Sequence, residues 1–358
     1  MAVPPLRLGR GSAALVVDPP VVLAPMAGIT DVVFRDICRH HGAALYVAEM
    51  IHARLFVEGA PRVVAKARFG PDERPRSAQL YARTPEEAKA AVVALRAAAD
   101  VDHVDLNFGC PAPKVVRSGG GAAIPADLPR FRAIVRATVE AAGPVPVTVK
   151  MRMGLTHRHT TYLEAGTVAA EEGVAAVALH ARTAEDRYGP PARWEAIADL
   201  VRALDPLPVL GNGDVFSGAD ALRMLERTGC AGVVVGRGCM GRPWLFRELA
   251  DTLAGRTVPP PPTLGENLDA MLAHARAHVA VHGPQRLLAF RRHAAAYAAG
   301  YPSAASVRAA IFASRDLDEL ARVVRTAPRH ERLVHRTPTV RSPAVRRFAG
   351  SLEEGACP

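Results

Sequence analysis

Short apolar runs alternate with longer stretches of helical spacing from about residue 20 to residue 253. The runs at 21–28, 44–50, 77–82, 103–109, 145–152, 176–182, 207–213 and 231–238 each have the length of a buried strand. Eight such units with helices between them predict an α/β fold, a closed parallel (β/α)8 TIM barrel rather than an open sheet. The helices carry their own punctuation. In Thr84-Pro85-Glu86-Glu87 an N-cap threonine precedes a first-turn proline and a capping-box glutamate. Gly42, Gly173 and Gly229 fall where helices must stop before the next strand.

The periodicity also divides the chain. Residues 1–18 read as a ragged lead-in and 19–253 as the barrel, close to the ~250 residues usual for that fold. Residues 254–263 contain Pro259-Pro260-Pro261-Pro262, a stiff linker. Helical patterns at 264–282, 285–299 and 304–325 then predict a small helical domain over 264–326. From 327 to 358 the chain is basic and proline-punctuated without periodicity, which predicts disorder.

Composition narrows the class. The 358 residues are 49% hydrophobic, ample for a large core. The 5 cysteines are odd in number and scattered, a pattern that offers neither a disulfide framework nor a zinc motif and predicts a reduced, cytoplasmic protein. The apolar stretch near the N-terminus is cut by Asp18, Pro19 and Pro20, too early for a signal or a membrane span. No metal or membrane partner is expected, and the oligomeric state is left open with a monomer favoured. With 45 basic and 35 acidic residues the formal charge is +10, which favours a polyanionic partner. Among the basic residues only Lys66, Lys89, Lys114 and Lys150 are lysines, and Lys150 stands inside a strand.

Chemistry in such a barrel belongs to the C-terminal ends of the strands. Read in order, those ends carry Pro25, Met26 and Ala27; Glu49; Gln79; Asn107 with Cys110; Lys150 with Arg152; His180 with Arg182; Asn212, Gly213 and Asp214; and Gly236, Arg237 and Gly238. In Asp105-Leu-Asn-Phe-Gly-Cys-Pro111, glycine and proline break the strand on either side of the thiol, so Cys110 either closes the core or faces a cleft. Glycine-rich turns after the seventh and eighth strands let backbone N–H groups converge on a phosphate, and Arg237 adds charge. With Lys150 at the fifth strand and Gln79 at the third, the set suggests FMN lying across the mouth.

Several segments carry a family resemblance: Ala24-Pro-Met-Ala-Gly-Ile-Thr-Asp31, Asp105 to Pro111, Val147-Thr-Val-Lys-Met-Arg152, Leu210-Gly-Asn-Gly-Asp214, and Val235-Gly-Arg237 followed by Gly241-Arg-Pro-Trp-Leu-Phe246. In these the sequence resembles the tRNA-dihydrouridine synthases, in particular the bacterial DusB-like branch. The resemblance implies reduction of the uridine C5=C6 bond in tRNA, with FMN as cofactor and NADPH or NADH as transient electron donor. It implies Cys110 as proton donor, Asn107 as a contact of the target uracil, and Pro25, Met26, Ala27, Gln79, Lys150, His180, Asn212, Gly213, Asp214, Gly236 and Arg237 as flavin-site residues. A thiol with the usual pKa of about 8.5 is protonated at neutral pH, as a proton donor must be. The helical domain is assigned to tRNA binding. Two positions depart from the pattern: Ala181 stands where many relatives have glycine, and Phe290-Arg-Arg-His293 has arginine where lysine is common. The alternatives are an FMN dehydrogenase of a free pyrimidine, of the dihydropyrimidine or dihydroorotate type, and a non-catalytic RNA-binding protein on the same barrel.

Overall fold

The computed structural model describes residues 3–9, 11 and 14–335. It begins with an antiparallel hairpin, β1 (Leu6–Leu8) on β2 (Leu15–Val17), where the sequence suggests only a ragged lead-in. Leu6, Leu8 and Val17 are buried against Val22, Leu45, Ala178, Leu210 and Val234 of the barrel strands, so the hairpin supplies core residues.

The barrel then runs through β3 (Val21–Leu23), α1 (Val32–His40), β4 (Leu45–Tyr46), β5 (Ile51–His52), and two short helices, α2 (Ala53–Val57) and α3 (Pro61–Val64). It continues through β6 (Ser77–Tyr81), α4 (Pro85–Ala99), β7 (His103–Phe108), α5 (Pro113–Arg117), α6 (Leu128–Ala142) and β8 (Val147–Arg152). A small hairpin, β9 (Gly154–Thr156) with β10 (His159–Thr160), precedes α7 (Tyr162–Glu171). The last turns of the barrel are β11 (Ala176–His180), α8 (Trp194–Leu204), β12 (Val209–Asn212), α9 (Gly218–Thr228), β13 (Gly232–Val235) and α10 (Leu245–Leu253).

The strand order is β4-β3-β13-β12-β11-β8-β7-β6-β5, parallel throughout. Its two ends are halves of one interrupted strand. β4 pairs with β3, while Val47 just beyond it bridges Ser77 of β6, and β5 pairs with the end of β6. The second strand thus touches both neighbours and closes the barrel. The run read at 44–50 is split, and in the gap between β4 and β5 the Glu49 carboxylate accepts from Gly28 N at 2.9 Å.

The helix signals take physical form. Thr84 Oγ1 accepts from Glu87 N, and Glu87 returns a carboxylate to Arg83 N, so α4 starts capped. Gly42, Gly173 and Gly229 all have positive φ, the conformation that ends a helix most cheaply in glycine.

Beyond residue 263 come α11 (Leu264–His282), α12 (Leu287–Tyr297), α13 (Ala304–Ala313) and α14 (Leu317–Thr326). The single helix expected at 304–325 is two, because Asp316 takes extended backbone and caps α14 by accepting from Glu319 N at 2.8 Å. Leu268, Met271, Phe290, Tyr297, Ile311 and Leu320 form this domain's own core. It is docked to the barrel by Asn267, fully buried, which donates to Gly241 O at 3.0 Å and accepts from Trp244 Nε1 at 3.2 Å. At Gly241 a Cβ would stand 2.2 Å from the backbone of Ala296, so only glycine allows α12 this close. Residues 328–335 lie back on the domain, with Leu264 N bonded to Glu331 O and Val334 N to Gly300 O. The rest of the segment expected to be disordered, from 336 on, lies outside the described residues.

Candidate active site

The thirteen residues to which the family resemblance gives a role all line one cavity at the C-terminal mouth of the barrel, as do Arg152 and Gly238, whereas Glu49 and Arg182 lie outside its lining. Cys110 is half-buried at the end of β7, and its backbone is fixed by Asn107, whose Oδ1 accepts from Gly109 N at 3.1 Å and Cys110 N at 3.0 Å. Asn107 is fixed in turn. Its Nδ2 donates to Gln79 Oε1 at 2.8 Å, and Gln79 Nε2 donates to Asp105 Oδ2 at 2.7 Å. Because a carboxylate only accepts, Asp105 sets the orientation of Gln79, and Gln79 sets that of Asn107. Each amide NH2 keeps its second hydrogen for a ligand.

The chain of bonds continues downward. Thr148 Oγ1 donates to Asp105 Oδ1 at 2.6 Å, which leaves its oxygen to accept from His103 Nε2 at 2.9 Å, and His103 Nδ1 meets Ser77 Oγ at 2.7 Å. Burial pushes the Asp105 carboxyl up to about 6 and the His103 imidazole down to about 4. At neutral pH Asp105 is therefore ionised and His103 neutral, the states that this hydrogen-bond pattern requires.

From the strand beside the Cys110 turn round to β13, the mouth is cationic. Lys150, Arg152, Arg182 and Arg237 converge there. Burial and the neighbouring Arg152 push the Lys150 ammonium down to about 8, while Asp105 opposes them. Arg152 and Arg237 are also shifted down, by burial and by nearby guanidinium groups. Arg152 donates to the carbonyls of Gly109, Thr183 and Arg187. Asp214, at φ 57°, accepts from Arg182 at 2.7 Å and from Arg237 at 3.2 Å, so the acid of the glycine turn orients two arginines. His180 lies well below its usual range through burial and then Arg152, Lys150, Arg182 and Arg237. It is neutral, and Arg182 Nη1 donating to Nε2 at 3.2 Å places its proton on Nδ1.

A mononucleotide phosphate fits the two turns. Gly213 has φ 126°, and a Cβ there would stand 2.7 Å from Ala192 Cβ, so the turn tolerates no side chain. Arg237–Cys239 form a single helical turn, whose first N–H groups have no partner within it. Asn212 braces the two strands, donating to Val234 O at 2.7 Å. Met26, beside Gly236, and Pro25 and Ala27 complete the lining.

The sequence did not single out Tyr188. Its ring carries the Arg237 guanidinium at 4.7 Å and that of Arg152 at 5.5 Å, tying a long loop to the cationic wall. Nothing in the residues around it marks an aromatic there as functional.

The fold is a closed parallel (β/α)8 barrel whose mouth carries a glycine-lined cationic recess at strands seven and eight and a thiol at strand four. The dihydrouridine synthase family model matches residues 22–331, and the chain belongs to that family. It is 46% identical over 327 residues to a probable tRNA-dihydrouridine synthase of Mycobacterium tuberculosis strain CDC 1551, covering 88% of this chain and 83% of that protein. With tRNA-dihydrouridine synthase B of Xanthomonas axonopodis pv. citri it shares 36% identity, over 82% of this chain and 88% of the relative. Histamine dehydrogenase from Rhizobium sp. 4-9 shares the barrel fold, with a TM-score of 0.52 at 13% identity over 70% of this chain and 48% of that one.

Proposed function

We propose that this chain reduces the C5=C6 double bond of uridines in tRNA to 5,6-dihydrouridine, with FMN held in the barrel mouth and NADPH or NADH as reductant. The observation that carries the reading is one cavity with a phosphate cradle and a thiol on facing walls. β13 and β7 are four strands apart either way round the closed barrel, counting β4 and β5 as one, so the groups they present face each other. Family membership supports the same reading.

FMN held in that cradle would supply the hydride for C6 of the uracil. The chain's own residues do the rest. Cys110 Sγ gives its proton to C5, so that one hydride and one proton saturate the bond. Lys150, charged at neutral pH, opposes negative charge on the ring edge. Gln79 and Asn107 each offer one amide hydrogen to the polar edge of ring or base, Asn107 being assigned to the uracil. Gly213, Asp214, Gly236 and Arg237 would hold the phosphate, and Asn212 ties their strands together. Pro25, Met26 and Ala27 would contact the ring, and neutral His180 would donate from Nδ1.

The uridine must leave the tRNA stack to reach the mouth, at a cost of about a few kcal/mol. The helical domain is placed to offset it: exposed Arg292 on α12 approaches Gly28 of the mouth loop. A free pyrimidine needs no such surface. No helix among the described residues is long and apolar enough to cross a membrane. Cytoplasmic tRNA is the substrate this reading requires.

The test is Cys110→Ala. Dihydrouridine formation on tRNA should fall by about 10²–10⁴-fold, the usual value of a positioned proton donor, while bound flavin is still bleached by NADPH. Modification at the wild-type rate would sink the assignment of the acid, and a protein that takes up no flavin would sink the reading as a whole.

A further inference from the structure

Between the barrel and the helical domain, far from the mouth's thiol and arginines in sequence, one carboxylate and two imidazoles meet. Asp31 caps α1, its Oδ1 accepting from Phe34 N at 2.9 Å, which leaves Oδ2 facing α11. His278 Nδ1 lies 3.1 Å from Oδ2 and His282 Nε2 lies 2.9 Å from it. The three donor atoms are all within 4.8 Å of one another. Four residues apart on one helix, His278 and His282 present their rings on the same face. From this geometry we infer that Asp31, His278 and His282 bind a divalent transition-metal ion of the zinc class, with water in the fourth position.

The donor set suits that ion: two imidazole nitrogens and one carboxylate oxygen are borderline ligands, and three protein ligands leave a tetrahedral centre one open place. Bonds of about 2.0–2.2 Å put tetrahedral ligand atoms roughly 3.3–3.6 Å apart. The observed separations from Oδ2, 3.1 and 2.9 Å, need open by about half an ångström. The site also has the right access. His278 and Asp31 are 8% and 15% exposed, and His282 is 30% exposed, which gives an ion a way in from solvent.

The surroundings hold the ligands in place. The His278 and His282 rings lie 4.5 Å apart, and Phe290 packs on His278 at 5.4 Å. The sequence shows no motif because 247 residues separate Asp31 from His278. A metal here would fasten α11 to the segment that follows Pro25–Ala27, the floor of the mouth.

Tag-free holoprotein, stripped with chelator and returned to metal-free buffer, is titrated with zinc chloride in a calorimeter. One equivalent should bind per chain, the melting temperature should rise, and excess chelator should reverse the shift. Asp31→Asn, which keeps a helix cap, and His282→Ala, at the more exposed position, should each weaken binding at least tenfold, with retained flavin absorbance as the control for folding. Cobalt(II) in place of zinc should give the visible bands of nitrogen and oxygen ligation without thiolate charge transfer, and Cys110→Ala should bind as the wild type does. A wild-type chain that takes up no stoichiometric zinc overturns the proposal however the variants behave. So does undiminished binding in folded Asp31→Asn and His282→Ala, or a thiolate signature in the cobalt spectrum.

Discussion

Cys110 does not hold itself in place; it stands at the end of a chain of oriented amides that starts at Asp105. Replacing Gln79 by leucine keeps the volume and removes both links, leaving an Asp105 oxygen and Asn107 Nδ2 without their partners. Loss of such buried bonds should destabilise the fold by about 1–3 kcal/mol in denaturant melts, and dihydrouridine formation should fall because Asn107 no longer fixes the Cys110 turn. A Gln79→Leu variant with wild-type turnover would show that the turn is held by Gly109 and Pro111 alone. Lys150 gives a pH test. Its folded-state value of about 8 lies below the ordinary lysine range, so its charge is present at neutral pH and lost as pH rises through 8. Flavin binding to the apoprotein should therefore weaken above about pH 8 in fluorescence titrations, and Lys150→Met should bind weakly with no such dependence between pH 7 and 9. A wild-type pH response in that variant would move the titrating group elsewhere.

Among the elements, those with their own local signal were legible and those defined by contact were not. The strand cores, the α4 cap and the glycine stops were all readable, because period and capping act within a few residues. That the proposed site residues would share one cavity was legible for the same reason: they close strands, and a barrel brings strand ends together. The break between β4 and β5 was not, since it is defined by pairing with two different neighbours, β3 and β6, and not by any local pattern. The split between α13 and α14 had a signal in Asp316-Leu-Asp-Glu319, a cap pattern masked by the apolar spacing that runs through it. The N-terminal hairpin was invisible because its strands are three residues each and are defined by what they cover. Leu8 is fully buried under the barrel, so Leu8→Ala should cost about 2–5 kcal/mol in chemical denaturation. A loss under 0.5 kcal/mol would mean that the hairpin is an ornament rather than part of the core.

For the whole molecule the question is where the positive charge acts. Past residue 260 the chain has arginines and no lysine, but Arg336, Arg341, Arg346 and Arg347 lie outside the described residues, and Arg315 and Arg329 are engaged with Glu319 and Asp269. Arg276, Arg286 and Arg292 remain exposed on α11, the turn after it, and α12. Cutting the chain at Pro259 is a poor test of their role, because it would strip Phe34 of the His274 and His293 rings and leave Trp244 without Asn267. Charge removal is cleaner. The double variant Arg286→Gln, Arg292→Gln changes exposed side chains only, so flavin absorbance and melting temperature should stay at wild-type values. If these arginines contact tRNA phosphates, each releases counterions on binding, and the slope of log affinity against log salt should become shallower by about 0.7–0.9 per arginine. Affinity at low salt should drop while the reaction of bound flavin with NADPH is untouched. An unchanged slope in a folded, flavin-loaded double variant would show that Arg286 and Arg292 make no phosphate contact and that Arg292 serves only beside the mouth loop.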